Sequence, residues 1–181
     1  RSLQKAATHA EAAKARALEA PRWVRPPHAL PELHFLVTCT RCDECVKACP
    51  HQVIFKLSEQ TDRLAAGTPA LDLLNRGCHM CPDTPCVTAC ETGALKSPEA
   101  PNDTIPPYKL AIATIDEKTC LPYSGPECGA CASSCPVPGA LKWGSGGRPV
   151  IDQTLCSGCA MCREACIVIP GAVQVSTVIR E

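Results

Sequence analysis

The sequence predicts an α+β fold of short helices and strands arranged as two small cysteine-built units, one nested inside the other, behind an N-terminal helix and an extended strap. Three observations carry this expectation. Sixteen cysteines stand among 181 residues while aromatics make up only 3%, so the rings that usually dominate a core are scarce and packing alone cannot hold the chain. All sixteen cysteines fall into four tight groups with none left over. Short β-branched runs recur beside those groups, which gives a repeated unit of strand, cysteine loop, short helix bearing the last cysteine, turn and strand.

Residues 1–20 (RSLQKAATHAEAAKARALEA) are rich in alanine and free of glycine and proline, so helix propensity is high there and Pro21 ends the helix. The following PRWVRPPHALP favours an extended, polyproline-like path, suited to a strap on a surface or a linker. VIFKL, after the first cysteine group, reads as a short strand, and the chain from there to Asn75 as a polar, Gly/Pro-punctuated loop. SPEAPNDTIPP (97–107) is a second linker. LAIATID (110–116) and GRPVID (147–152) are strands leading into the last two groups. GALK, GALKW and GAVQV follow Cys90, Cys135 and Cys166 as further strand candidates. The boundaries expected from this reading are 1–32 for helix and strap, 33–77 with 147–181 for one unit, and 78–146 for the inserted one.

Net charge is zero, which argues against a surface that neutralises nucleic-acid phosphates. The charge is uneven: residues 1–30 carry six basic and two acidic groups, and the rest 12 basic against 16 acidic. That basic arm suits peripheral contact with anionic headgroups or an acidic partner face, or else a solvated helix. No run approaches the ~18–20 apolar residues of a membrane span. The chain begins with Arg1, so the natural terminus is expected to be processed or to lie upstream, where any export signal would be.

The chemistry lies in the spacings. Group one is Cys39, Cys42, Cys45, Cys49 followed by Pro50; group two is Cys78, Cys81, Cys86, Cys90. Group three is Cys120, Cys128, Cys131, Cys135 followed by Pro136; group four is Cys156, Cys159, Cys162, Cys166. Group one is the bacterial run for [4Fe–4S] binding, and group four keeps its spacing with Ile167 in place of the proline. Three closely spaced thiolates reach three corners of a cubane, while the fourth cysteine points to a partner cluster and so ties two groups together. Structural zinc uses paired C-x2-C arms far apart, and cysteines two residues apart make poor disulfide partners, so neither fits four crowded quartets. Four fully ligated [4Fe–4S] clusters are therefore expected. Such closed clusters pass single electrons and offer no open iron, so the chain is expected to move charge without catalysing a reaction.

Groups one and four share one spacing, and two and three are irregular. That symmetry favours a nested pairing with ligand sets Cys39/Cys42/Cys45/Cys166, Cys156/Cys159/Cys162/Cys49, Cys78/Cys81/Cys86/Cys135 and Cys120/Cys128/Cys131/Cys90. Sequential pairing, one with two and three with four, stays open. His79, inside group two, reads as an exposed histidine near the cluster and not as a ligand, since four cysteines already suffice. Trp23 and Trp143 read as core or strap-docking residues. Lys47 and Arg163 would raise cluster potentials and Asp43, Glu44, Glu127 and Glu164 would lower them, so the signs oppose.

The segments RPPHAL, CTRCDECVKACP, CHMCPDTPCVTACETGAL, IDEKTCLPYSGPECGACASSCP and CSGCAMCREAC resemble the ferredoxin-type electron-transfer proteins of the NapG/MauM group over roughly residues 25–175, the C-x7-C-x2-C-x3-C third group being the most specific feature. Glu91 and Ile167 depart from the proline that often follows the fourth cysteine. The resemblance implies four [4Fe–4S] clusters, export to the periplasm by the twin-arginine route, and work with a membrane quinol-oxidising or dehydrogenase partner that feeds a periplasmic oxidoreductase. The alternatives are a permanent iron–sulfur subunit of a larger, for example molybdopterin, oxidoreductase, and a structural or maturation protein whose clusters never turn over.

Overall fold

A computed structural model describes residues 23–97 and 108–178. The helix expected over 1–20 and most of the linker expected over 97–107 lie outside the described residues. In chain order the elements are α1 (Glu32–Thr38), α2 (Glu44–Ala48), β1 (Ile54–Lys56), β2 (Pro69–Leu71), α3 (Pro85–Thr88), β3 (Ala111–Ile115), α4 (Leu121–Ser124), β4 (Leu141–Trp143), a 3-10 turn (Ser145–Gly147), β5 (Pro149–Ile151), α5 (Met161–Glu164) and β6 (Val173–Thr177).

Strand pairing decides the architecture. β1 pairs antiparallel with β2 (Ile54 opposite Leu71), β4 with β5 (Leu141 opposite Ile151), and β3 with β6 (Ile115 opposite Val173). A lone bridge joins Ala29 to Leu95. These four pairings share one logic: the segment that follows the fourth cysteine of one group lies against the segment that precedes the first cysteine of another. β1 after Cys49 thus meets β2 before Cys78, and Leu95 after Cys90 meets Ala29 before Cys39. In the second half, β4 after Cys135 meets β5 before Cys156, and β6 after Cys166 meets β3 before Cys120. Each pairing stays within groups one and two or within groups three and four. The nested boundaries 33–77 with 147–181 around 78–146 are accordingly corrected to two sequential units, 23–97 and 108–178. Identity of spacing between groups one and four says nothing about which strands meet; β1–β2 and β4–β5 close over short loops, and the β3–β6 and Ala29–Leu95 closures, though long, still join sequential groups.

The strap is part of the first unit's core. Val24 bridges to Leu71. Arg25, 3% exposed, donates to both carboxylate oxygens of Glu32 (2.9 and 2.6 Å), to Thr68 Oγ1 (2.8 Å) and to the Pro69 carbonyl (2.7 Å). Its guanidinium also lies over the Phe35 ring at 4.5 Å and the Trp23 ring at 5.4 Å. A planar five-donor group can serve a strand, the residue before it, a helix and two aromatic faces at once, which a point charge on a lysine cannot. α1, which the sequence reading leaves inside a unit without a helix, is fixed by this cage through buried Phe35. Trp23 packs on Leu57, Ala65 and Ala70, as its reading as a strap-docking residue expects.

The strands expected at VIFKL, LAIATID, GRPVID, GALKW and GAVQV form β1, β3, β5, β4 and β6. GALK after Cys90 makes only the bridge at Leu95, and β2 arises in a stretch read as loop. The helices differ in register from expectation: α2, α3 and α5 carry the third cysteine of their groups (Cys45, Cys86, Cys162), and the fourth stands just beyond the helix end.

The two units share a core. Cys78 N–H donates to the Cys159 carbonyl (2.7 Å), and Leu110, Ala111, Cys159 and Ala160 pack with Cys78, Cys86 and Leu95. Gly77 N–H donates to Glu164 (2.7 Å), and Arg163 donates to the Leu74 carbonyl (3.0 Å) and to the Val173 carbonyl. Gly77 is required there: a Cβ would stand 2.7 Å from Met161 Cα, inside any real contact distance.

Candidate iron–sulfur sites

In groups one, two and four the backbone crosses into the left-handed region beside the second cysteine. φ is positive at Arg41 (61°) and Asp43 (68°) around Cys42, at Met80 (52°) before Cys81, and at Gly158 (71°) and Ala160 (64°) around Cys159. For a non-glycine residue such a conformation costs on the order of 1–3 kcal/mol, held only where the surroundings over-determine it. What it provides is a concave run of N–H groups, the backbone arrangement that receives anions and iron–sulfur clusters. Several amides already point at sulfur: Leu95 N–H to Cys90 Sγ (3.3 Å), Gly158 N–H to Cys156 Sγ (3.3 Å) and Ala172 N–H to Cys166 Sγ (3.4 Å).

The sixteen sulfurs gather into four quartets. Around Cys45 stand Cys39, Cys42 and Cys90, which form site one. Cys49, Cys78, Cys81 and Cys86 line one small cavity, site two. Cys135, Cys156, Cys159 and Cys162 line another, site three. Cys120, Cys128, Cys131 and Cys166 line a third, site four. In every quartet three cysteines come from one group and the fourth from its sequential neighbour. The nested quartets are therefore corrected: Cys49 and Cys90 are exchanged between groups one and two, and Cys135 and Cys166 between groups three and four. The physical reason is the strand pairing above, which carries Cys90 back beside Cys39 and Cys166 back beside Cys120. Among the described residues no three His, Cys, Asp or Glu side chains converge tightly enough to hold a single metal ion. Thiols spread round a cavity suit a polynuclear cube better than one zinc.

The sites also stand in a row. Cys45 of site one lies within electrostatic reach of Cys86 of site two, Cys78 of site two donates its N–H to the carbonyl of Cys159 of site three, and Cys131 of site four lies within electrostatic reach of Cys162 of site three. Spatial order is thus one, two, three, four, which in sequence reads as the clusters of groups one, two, four and three.

Burial pushes the inner thiols up, most at Cys86 and Cys162 (to about 12) and also at Cys45 and Cys78 (to about 11), with neighbouring cysteines adding to the rise. A thiol so placed keeps its proton at neutral pH, and a cluster must displace it, so binding iron and folding are coupled. Burial dominates at Cys159 as well, where the Met161 amide and the Ser157 hydroxyl pull back toward the thiolate.

A family model described as a 4Fe-4S dicluster domain matches residues 38–94, which enclose groups one and two together. The chain is 37% identical over 160 residues to the methylamine utilization ferredoxin-type protein MauM of Methylobacillus flagellatus, covering 84% of this chain and 67% of that protein. It is 36% identical over 162 residues to MauM of Paracoccus denitrificans (85% and 71%) and 32% identical over 164 residues to the ferredoxin-type protein NapG of Escherichia coli (84% and 69%). The chain belongs to the MauM/NapG family of ferredoxin-type proteins. It is an iron–sulfur electron-transfer protein, as the cysteine spacings and the resemblance lead one to expect. No solved structure matches.

Within this family member the secondary residues take definite places. His79 is exposed and stacks on His51 with ring centroids 3.5 Å apart, beside site two. Lys47 pairs with Glu44 (2.7 Å) and Asp43 with Lys56 (2.7 Å), so these charges largely offset one another locally. Arg163 and Glu164 hold the two units together, and Glu127 lines an open hollow beside Cys128 with Trp143. Sequence reasoning missed Tyr108, whose ring lies in the lining of site two and whose phenol is pushed up by burial and by Cys78, Cys86, Cys81 and Cys159. It also missed Ser157. No helix among the described residues is long and apolar enough to cross a membrane.

Proposed function

We propose that the chain holds four [4Fe–4S] clusters and relays single electrons along the row from site one to site four, or the reverse. The observation that carries this reading is the order of the quartets, in which site two neighbours sites one and three and site three neighbours site four. The sites at the two ends are also the more open ones. Cys42 is exposed, and Cys128 faces the hollow bounded by Glu127, Gly129 and Trp143, whereas sites two and three each contain three and two buried cysteines at the centre of the molecule. Electrons can therefore enter at one end and leave at the other without the inner clusters meeting solvent.

The relatives' names place MauM in methylamine utilization, and the family supports a donor that is a membrane quinol-oxidising or dehydrogenase protein and an acceptor that is a periplasmic oxidoreductase. Twin-arginine export and a peripheral membrane role for residues 1–30 belong to the same proposal. A second reading, a permanent iron–sulfur subunit of a larger oxidoreductase complex, is favoured by apolar side chains left bare beside site four: Ile167 is 67% and Ile169 95% exposed. Purification separates the two, since a relay comes off alone and a subunit brings its large partner. The test of the relay is anaerobic analysis of iron and sulfide, with about 16 of each expected per chain, together with reduction by quinol only when membranes are present. Half that iron content, or clusters that no physiological donor reduces, overturns it.

A further inference from the structure

In the first C-x2-C pair of three of the four groups the residue after the leading cysteine is exposed: Thr40, His79 and Gly129. Water satisfies those positions. The fourth is Ser157, between Cys156 and Cys159, and it is 1% exposed. Its carbonyl accepts from Leu110 N–H (2.7 Å), which fixes the residue in place against the strand leading into β3. Its hydroxyl is one of two buried side-chain polar atoms among the described residues that make no hydrogen bond, the other being Trp23 Nε1. It lies close enough to Cys159 to favour that thiolate, and the protein offers it no hydrogen-bond partner of ordinary geometry.

The wall around it explains what it is for. The cavity of site three is lined by Ala113, Val137, Ala140, Leu141, Ile151 and Ala160 besides its cysteines, and Ser157 is the sole other polar side chain there. A buried hydroxyl without a partner costs about 1–3 kcal/mol, and native proteins keep one where a ligand satisfies it. The free donor therefore faces the space that the quartet encloses.

We propose that the Ser157 hydroxyl donates a hydrogen bond to the sulfurs of the cluster at site three and thereby raises that cluster's reduction potential relative to the same cluster without it. This rests on the four-cluster reading. An electron arriving from site two or site four adds one negative charge to site three and forms or breaks no bond. The hydroxyl keeps its proton and stabilises the added charge on sulfur, and hydrogen bonds to the sulfurs are one of the levers that set such potentials.

The test compares the anaerobically loaded full chain with Ser157→Ala and Ser157→Thr by EPR-monitored redox titration and iron analysis. Ser157→Ala should shift one cluster of the four to more negative potential by about tenfold in its reduction equilibrium, about 59 mV for one electron, leaving the other three in place and the iron content unchanged. Ser157→Thr, which keeps the hydroxyl, should restore the original value. In the unsubstituted chain, a solvent-exchangeable deuteron should couple magnetically to the reduced site-three cluster and vanish in Ser157→Ala. Unchanged potentials at full iron content, or an equal shift of all four, overturns the proposal. If Ser157→Ala loses iron, Ser157→Gly takes its place in the titration: one potential shifted with the exchangeable coupling lost upholds the proposal, and an unshifted potential with the coupling retained overturns it. About eight iron atoms in the unsubstituted chain would instead sink the four-cluster reading itself.

Discussion

Replacing Gly158 by alanine should empty site three and leave site one loaded. The residue sits between Ser157 and Cys159 with φ at +71°, and a Cβ built there would stand 1.9 Å from the Ala111 carbonyl oxygen and 2.3 Å from its carbon. Carbon and oxygen that are not bonded stay about 3.3 Å or more apart, so loop and strand must separate by about 1.4 Å. The left-handed backbone adds about 1–3 kcal/mol for a residue other than glycine. Forcing a methyl into a filled space adds a further ~1–3 kcal/mol. Together they take a large share of the ~5–15 kcal/mol that holds a domain of ordinary stability. The movement also pulls Leu110 N–H from the Ser157 carbonyl and Gly158 N–H from Cys156 Sγ. Iron and sulfide analysis after anaerobic reconstitution should show the loss of at least one cluster's worth, about four iron atoms. Gly146→Ala is the control, because Gly146 has the same positive φ but nothing within 4 Å of a Cβ. It should cost only the ~1–3 kcal/mol of the left-handed backbone, and no iron. A Gly158→Ala protein with full iron content and an unchanged melting point would refute the reasoning that the β3 wall is packed against this loop.

Arg25→Lys should destabilise the first unit nearly as much as Arg25→Ala, by about 3–5 kcal/mol, since an ammonium cannot serve Glu32, Thr68 and Pro69 together; a lysine variant with the original melting point would contradict the cage. Raised thiols in the cluster-free chain should make its structure alkali-sensitive. Folded-state values above the ordinary one, to about 11 at Cys45 and about 12 at Cys162, mean that their protons favour the folded chain below pH 9, and that this contribution disappears as pH climbs toward 12. Circular dichroism of the cluster-free chain should fall over that range, while the loaded chain, its thiolates already bound to iron, should hold; identical titrations would count against buried quartets. Cys90→Ser should perturb the EPR signal of the cluster held by Cys39, Cys42 and Cys45, and Cys166→Ser that held by Cys120, Cys128 and Cys131. The opposite assignment would restore the nested pairing.

The sixteen cysteines that gather into quartets and most strands were legible because their signals are local. A cubane needs thiolates at short spacing, and β-branched runs such as AIATI and VQVST declare strands wherever they fall. Pairing was not legible. Groups one and four look alike because each wraps a cube in the same way, and that likeness is a property of the loop, carrying no information on which strand lies beside it. What fixes Cys166 next to Cys120 is Ile115 opposite Val173, a register that exists only once β3 and β6 have met. α1 escaped notice for a related reason: its stability comes from Phe35 under Arg25, a contact made from outside the helix. Ser157 could have been flagged as a small polar residue in a C-x2-C pair, yet Thr40 occupies the same place in group one. Only burial tells them apart.

The most direct test of two sequential units holding a row of four sites is a crystal structure of the loaded chain phased on iron. It should show four iron peaks in a line, with Cys90 bound at the first, Cys49 at the second, Cys135 at the third and Cys166 at the fourth. Two peaks in place of four, or Cys166 bound beside Cys39 and Cys42, would contradict it.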